Sequence, residues 1–230
     1  MSERFAIYLV PRAGSALWDR GCRWLGRDPE TGTVFAPLPV PGFTPDEIRA
    51  LTRMPRDYGF HATLKAPFRL AKGVDELELL ESVAHLSRSL PMLSMPELRV
   101  DRLDDFLALR PTGASAPVDA VAARLVTALD PLRAPIDVAE RDRRLSSGLS
   151  ARQQELLERW GYPYVLEEFR FHMTLSGRLE PSQAARLHAA IEEWFAPALS
   201  GPSEAVDVGV FRQAASAAEF TLHRRFTLQS

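Results

Sequence analysis

The spacing of apolar and polar positions divides the chain into short strands and amphipathic helices in irregular order. Phe5-Ala6-Ile7-Tyr8-Leu9-Val10 is short, aromatic and β-branched and stops at Pro11, which predicts a strand. Further strand-like segments lie at 58–68, 96–103, 105–110, 168–178, 205–213 and 218–228. Thr44-Pro45-Asp46-Glu47 joins a hydroxyl cap, a proline at the first helical position and a glutamate three residues after the cap, so a helix starts there. A second helix, Val74 to about Leu90, is expected to bury Leu77, Leu80, Ala84 and Leu86. Val118 to Leu132 forms a third, ended near Pro135. Ser150 with Gln153 opens another that Gly161 terminates after Trp160, and Pro181 to Phe195 makes a fifth. Residues 11–43 hold Trp18, Trp24 and several glycines and prolines without a clear period, and read as an ordered insertion with one short helix. The mixture predicts an α+β fold, with the softest stretch, Pro111 to Pro117, near the midpoint.

Composition narrows the function. The 230 residues, 46% of them hydrophobic, suffice for one large domain or two small lobes with real cores. The 28 Lys and Arg against 30 Asp and Glu leave a net charge of −2, which excludes a globally basic nucleic-acid coat and an acidic tail but leaves a local basic groove open. A single cysteine, Cys22, permits neither an internal disulfide nor a cysteine-rich metal site, so a cytoplasmic location is expected. The early apolar run Phe5 to Val10 is too short for a leader or a membrane span.

Chemistry enters through an internal echo. Gly59-Phe60-His61-Ala62-Thr63-Leu64 in the first half is answered by Arg170-Phe171-His172-Met173-Thr174-Leu175 in the second. Both read Phe-His-x-Thr-Leu, 111 positions apart (172 − 61). A lone histidine in a strand is commonly a half-buried hydrogen-bonding residue, and threonine is a common strand former. The doubling, one copy per half, points to a duplicated unit. Strand alternation then puts His61, Thr63 and Lys65 on one face and Phe60, Ala62 and Leu64 on the other. In the second copy Arg170, His172, Thr174 and Ser176 share the polar face.

Two such faces meeting across a groove suit phosphoester chemistry without a metal. A neutral imidazole takes a proton from water while a protonated one donates to the leaving oxygen, and a pKa near 6.5 makes both forms available. Threonine hydroxyls bond the non-bridging phosphoryl oxygens, and Lys65 and Arg170 add positive charge. A zinc reading fares worse, since two histidines so far apart need further ligands and no His-x-x-x-His spacing occurs. His85 and His188 fall on predicted helices as surface or boundary residues. His223 shares the polar face of the last strand with Thr221 and Arg225, a groove-lining position.

These paired motifs resemble the two-histidine (2H) phosphoesterase superfamily, which includes cyclic phosphodiesterases acting on RNA ends and nucleotides. Trp24-Leu25-Gly26-Arg27-Asp28, the run from Tyr58 to Phe68, Trp160-Gly161-Tyr162-Pro163-Tyr164-Val165 and the run from Phe169 to Gly177 resemble the branch associated with phosphonate-utilisation operons. The resemblance covers nearly the whole chain. It implies two pseudo-symmetric lobes, roughly 1–115 and 116–230 with exchange of strands allowed, each a mainly antiparallel sheet with flanking helices around a central cleft. It also implies hydrolysis of a cyclic phosphodiester with no metal or cofactor, His61 and His172 forming the acid/base pair and Thr63 and Thr174 gripping the phosphoryl group. Tyr8, on a strand adjoining the cleft, joins Lys65 and Arg170 as a substrate-binding candidate.

Three functions follow as alternatives. The first is a phosphodiesterase for a small phosphorylated metabolite, such as a ribose cyclic phosphate in phosphonate breakdown. The second keeps the site but acts on RNA or nucleotides with 2′,3′-cyclic phosphate, for which Arg-rich segments exist, notably Arg141-Asp142-Arg143-Arg144 and Arg224-Arg225, with acids interspersed as on a solvated surface. The third is a non-catalytic phosphate-ligand-binding module.

Overall fold

A computed structural model describes residues 3–201 and 205–228. Seven strands form one antiparallel sheet: β1 (Arg4–Pro11), β2 (Ala62–Phe68), β3 (Leu98–Leu103), β4 (Phe106–Pro111), β5 (Met173–Thr174), β6 (Val206–Gln213) and β7 (Thr221–Thr227). Their order is β3-β4-β5-β2-β1-β6-β7. The first half of the chain supplies β1 to β4, and β5 from the second half is wedged between β4 and β2. Both halves therefore build a single shared sheet, in an α+β fold.

The helices are α1 (Ala16–Leu25), α2 (Pro45–Tyr58), α3 (Glu76–Ser89), α4 (Ala116–Ala128), α5 (Val138–Leu145), α6 (Ala151–Trp160) and α7 (Pro181–Leu199). Thr44 and Ser150 make the reciprocal cap bonds that their sequences promise, with Glu47 and Gln153. The Trp-rich insertion holds α1, which Ser15 caps and a left-handed Gly26 ends. Arg27 then ties the insertion down, its guanidinium donating to the carbonyls of Arg56 and Phe220. None of the helices among the described residues is long and apolar enough to cross a membrane.

Three local expectations are corrected and one helix is added. Leu77 is 61% exposed, because the buried stripe of α3 runs through Leu79, Val83 and Leu86 at helical spacing and Leu77 falls off it, while Ala84 is half-buried. The third helix stops at Ala128, since Pro131 has no N–H to continue the ladder, and a 3-10 turn covers Asp130–Leu132. Helix α5 buries no residue, so no apolar stripe announces it; Asp137 starts it by accepting from the Glu140 N–H. The strand expected at 168–178 shrinks to two residues, because a 3-10 turn at Leu166–Glu168 leads into it and Gly177 leaves the ladder to donate to the Leu51 carbonyl.

Candidate active site

The two motif strands are neighbours, and Ala62 pairs with Met173. These are the middle residues of the two His-x-Thr copies. Antiparallel register then sets His61 across from Thr174 and Thr63 across from His172, all four on one face. Phe60, Ala62, Leu64, Phe171, Met173 and Leu175 occupy the opposite, core face, and each is buried. The histidines are diagonal neighbours on that square, for which the pleated sheet sets a spacing of about 7–8 Å.

Each imidazole is held in the same way. His61 Nδ1 lies 2.8 Å from the Gly59 carbonyl, and His172 Nδ1 lies 2.8 Å from the Arg170 carbonyl, two residues back in both copies. A carbonyl only accepts, so Nδ1 carries the proton and the neutral ring keeps its lone pair on Nε2. Gly59 reaches this geometry with φ 82°, and a Cβ there would approach Pro29 to 2.7 Å, so a side chain is excluded twice over. His61 Nε2 sits 3.1 Å from the Thr63 hydroxyl, which donates to it.

The surroundings of the two rings differ. Tyr8, the β1 partner of Thr63, stacks on His61 with centroids 3.6 Å apart and planes 17° apart. Burial pushes the His61 imidazole down to about 3, and the nearby His172 ring adds to the shift against the Gly59 bond. Burial also lowers His172, helped by Arg110 and opposed by the Arg170 carbonyl and Asp104. Burial raises the Tyr8 phenol well above its ordinary value, so it stays neutral.

A cavity of about 180 Å³ opens beside His172 and Thr63. Phe106, Tyr162, Tyr164 and Phe169 give it aromatic walls, and Asp104, Glu168 and Arg170 supply charge. Among the described residues only Asp104 and Leu166 are non-glycine residues at positive φ, both 54°. Asp104 lines the cavity and Leu166 follows the lining residue Val165, so backbone strain gathers here.

Of the seven residues picked from sequence, His61, Thr63, His172 and Thr174 share the square, Tyr8 covers one histidine and exposed Arg170 lines the cavity. Lys65 does not reach it. Its ammonium is buried, donates 3.2 Å to the Val126 carbonyl of α4 and lies 3.8 Å from Asp130. A helix end and a carboxylate offer that charge more than an open cleft does. His223 is also engaged elsewhere, 2.6 Å from Glu76 on α3. Ser176, expected on the polar face, is fully buried and accepts from the Leu107 N–H. No group of three or more His, Cys, Asp or Glu among the described residues is placed to hold a metal ion.

Arg110 escapes a reading of the sequence. Ala108 pairs with Thr174 and Leu109 with Met173, so Arg110 stands beside His172 on β4. Its Nη1 donates to Asp101, and its buried Nε has no hydrogen-bond partner. The signal is the β4–β5 register, which no local pattern contains.

Comparison with known proteins adds kinship. The chain is 40% identical over 207 residues to a protein of Janthinobacterium sp. (strain Marseille) named ribose 1,5-bisphosphate phosphokinase PhnN, covering 89% of this chain and 46% of that protein. A protein of the same name from Laribacter hongkongensis (strain HLHK9) is 36% identical over 218 residues, covering 93% of this chain and 50% of the relative. The chain thus spans about half the length of these relatives. A family model described as "Protein of unknown function (DUF1045)" matches residues 63–221, a span that takes in Thr63, His172 and Thr174 and begins two residues after His61. By that match over more than half of its length, the chain belongs to the DUF1045 family.

Proposed function

We propose that this protein hydrolyses a cyclic phosphodiester of a small phosphorylated sugar, opening the ring to a phosphomonoester. The observation that carries the reading is the square formed by His61, Thr174, Thr63 and His172 about the Ala62–Met173 pair. Two imidazoles with matching Nδ1 anchors leave two Nε2 atoms to exchange protons with a bound group, and two hydroxyls grip its oxygens. The resemblance to two-histidine phosphoesterases adds the reaction class. The name of the relatives adds a phosphorylated ribose as the substrate class.

That name also denotes a kinase, and it fits this segment poorly. The chain's only Gly-x-x-x-x-Gly, Gly21 to Gly26, runs on into Arg27-Asp28 instead of Lys-Ser/Thr and lies in α1 and its cap, not in a strand-to-helix loop. As part of this proposal, the kinase activity in that name belongs to the half of the relatives outside the match. The test is a panel of sugar and nucleotide cyclic phosphates followed by phosphorus NMR. Turnover is expected on a ribose cyclic phosphate, abolished by His61→Ala or His172→Ala in folded protein and unchanged by EDTA. Transfer of phosphate from ATP by this chain, with no ring opening, refutes the proposal.

A further inference from the structure

The square of histidines and threonines carries no fixed charge. Burial pushes both imidazoles toward their neutral forms, and the threonine hydroxyls are neutral. A phosphodiester is an anion, and charge builds on its non-bridging oxygens as it is attacked. Lys65 is drawn away to the Val126 carbonyl and Asp130. The cation that the strand register sets against the square is Arg110. Ala108 pairs with Thr174 and Leu109 with Met173, so Arg110 is the β4 neighbour of His172, with a Cβ spacing of about 4.5–5.5 Å.

The guanidinium of Arg110 is held by one of its arms. On β3, Asp101 pairs with Ala108 and Arg99 with Arg110, so all three charged residues stand on the face that bears the histidines. The Asp101 carboxylate accepts from Arg110 Nη1 at 2.9 Å, from Arg99 Nη2 at 3.3 Å and from the Arg102 N–H at 2.8 Å. Two arginines against one carboxylate leave the cluster net positive. Arg110 Nε is buried and has no hydrogen-bond partner among the described residues. A buried donor left unpaired is costly, and it calls for a reason. A fork clamped through Nη1 still presents Nε and Nη2 side by side, two parallel donors that match two oxygens of one phosphoryl group. The charge already reaches the square, since His172, lowered chiefly by burial, is lowered further by Arg110.

We infer that Arg110 binds the phosphoryl group from the β4 side, Nε and Nη2 donating to its non-bridging oxygens, with Asp101 as the positioning residue that holds the fork. This rests on the function proposed above. Asp101 stands on the β3 side of Arg110 and His172 on the β5 side, so the clamped fork keeps its open edge for a group held by β5. Arg170 lines the cavity as an exposed residue, and water screens its charge. Arg110 is partly buried and oriented in advance, so its donors are worth more to a growing negative charge. A lysine at this position would supply a point charge without the fork.

The test has a binding arm and a rate arm. With inorganic phosphate as the probe and ionic strength held constant, calorimetry is expected to show Arg110→Gln binding roughly 30-fold more weakly than the parent. Arg110→Lys is expected to bind roughly tenfold more weakly, because it keeps the charge and loses the fork. On a ribose cyclic phosphate, Arg110→Gln is expected to lose about 10²-fold in kcat, the size of effect seen when one donor to a developing oxyanion is removed. Added guanidinium ion is expected to restore part of the rate to Arg110→Ala with saturation, which a residue that only braces β3 against β4 would not allow. Asp101→Asn is expected to lose roughly tenfold in kcat, since it loosens the fork without removing it. Phosphate affinity within about twofold of the parent in both Arg110→Gln and Arg110→Lys overturns the assignment, whatever the parent's activity. A rate loss in Arg110→Ala with unchanged phosphate binding and no guanidinium rescue overturns it as well. Weakened phosphate binding in these variants, with no ring opening by the parent, upholds the phosphoryl site and overturns the hydrolase alone.

Discussion

The indole of Trp24 donates 2.8 Å to the carbonyl of Leu175, the residue that follows Thr174. Helix α1 of the Trp-rich insertion thereby holds the second motif from the core side. Leu175 in turn donates its N–H to Leu107, so its peptide is fixed on both sides. Replacing Trp24 with Phe keeps most of the packing and deletes one buried bond, leaving the Leu175 carbonyl without its donor. A loss of about 1–3 kcal/mol is expected in urea unfolding. A fall of roughly tenfold in kcat with little change in KM is expected as well, because Thr174 and His172 shift slightly out of alignment.

The same helix touches the first motif. A Cβ on Gly21 would sit inside the ring of Phe60, the residue before His61, and Phe60 is fully buried against Phe195 of α7 with centroids 6.1 Å apart. Gly21→Ala is therefore expected to cost about 1–3 kcal/mol by overpacking. Phe60→Leu in the same chain is expected to recover part of that loss. Thermal unfolding of the single and double variants reads the coupling, and strict additivity argues against the contact.

How much of this was legible depends on where each signal resides. The Thr44 and Ser150 caps lie within four consecutive residues each, and the structure contains both. The Phe-His-x-Thr-Leu echo is legible because it is repeated, and alternation alone separates Phe60 and Phe171 from His61 and His172. Which strands pair is not written locally. Nothing near His172 announces that β4 lies beside it, so Arg110 was invisible, and nothing near Lys65 announces the Val126 carbonyl that draws it off the polar face.

Lys65 and Arg170 now separate in a direct test. Burial lowers the Lys65 ammonium to about 8 against the pull of Asp130, so its charge is held at a cost. Lys65→Met is expected to leave inorganic phosphate binding within about twofold, since the charge serves α4 and Asp130. Arg170→Met is expected to weaken phosphate binding roughly tenfold, since an exposed guanidinium at the cavity loses a charge-assisted contact. Calorimetric titration of both variants measures the difference, and equal weakening returns Lys65 to the site.

Acid stability tests the depressed imidazoles. His61 titrates near 3 in the folded chain and near 6.5 when unfolded, so above about pH 6.5 it is neutral in both states and contributes no slope. As pH falls from 6.5 toward 3, the unfolded chain binds a proton that the folded chain refuses, and stability drops with acidification across that window. His172, shifted in the same direction by burial, adds to the slope. His61→Gln removes one of these protons, so the urea midpoint of the variant is expected to fall less steeply between pH 6.5 and 4 than that of the parent. Inorganic phosphate works against the same penalty. An anion between the rings favours their charged forms, so its affinity is expected to rise as pH falls from 7 to 5, with net uptake of protons in calorimetry run in buffers of different ionisation enthalpy. Affinity that is flat over this range, or proton release on binding, would mean that phosphate does not lie between His61 and His172.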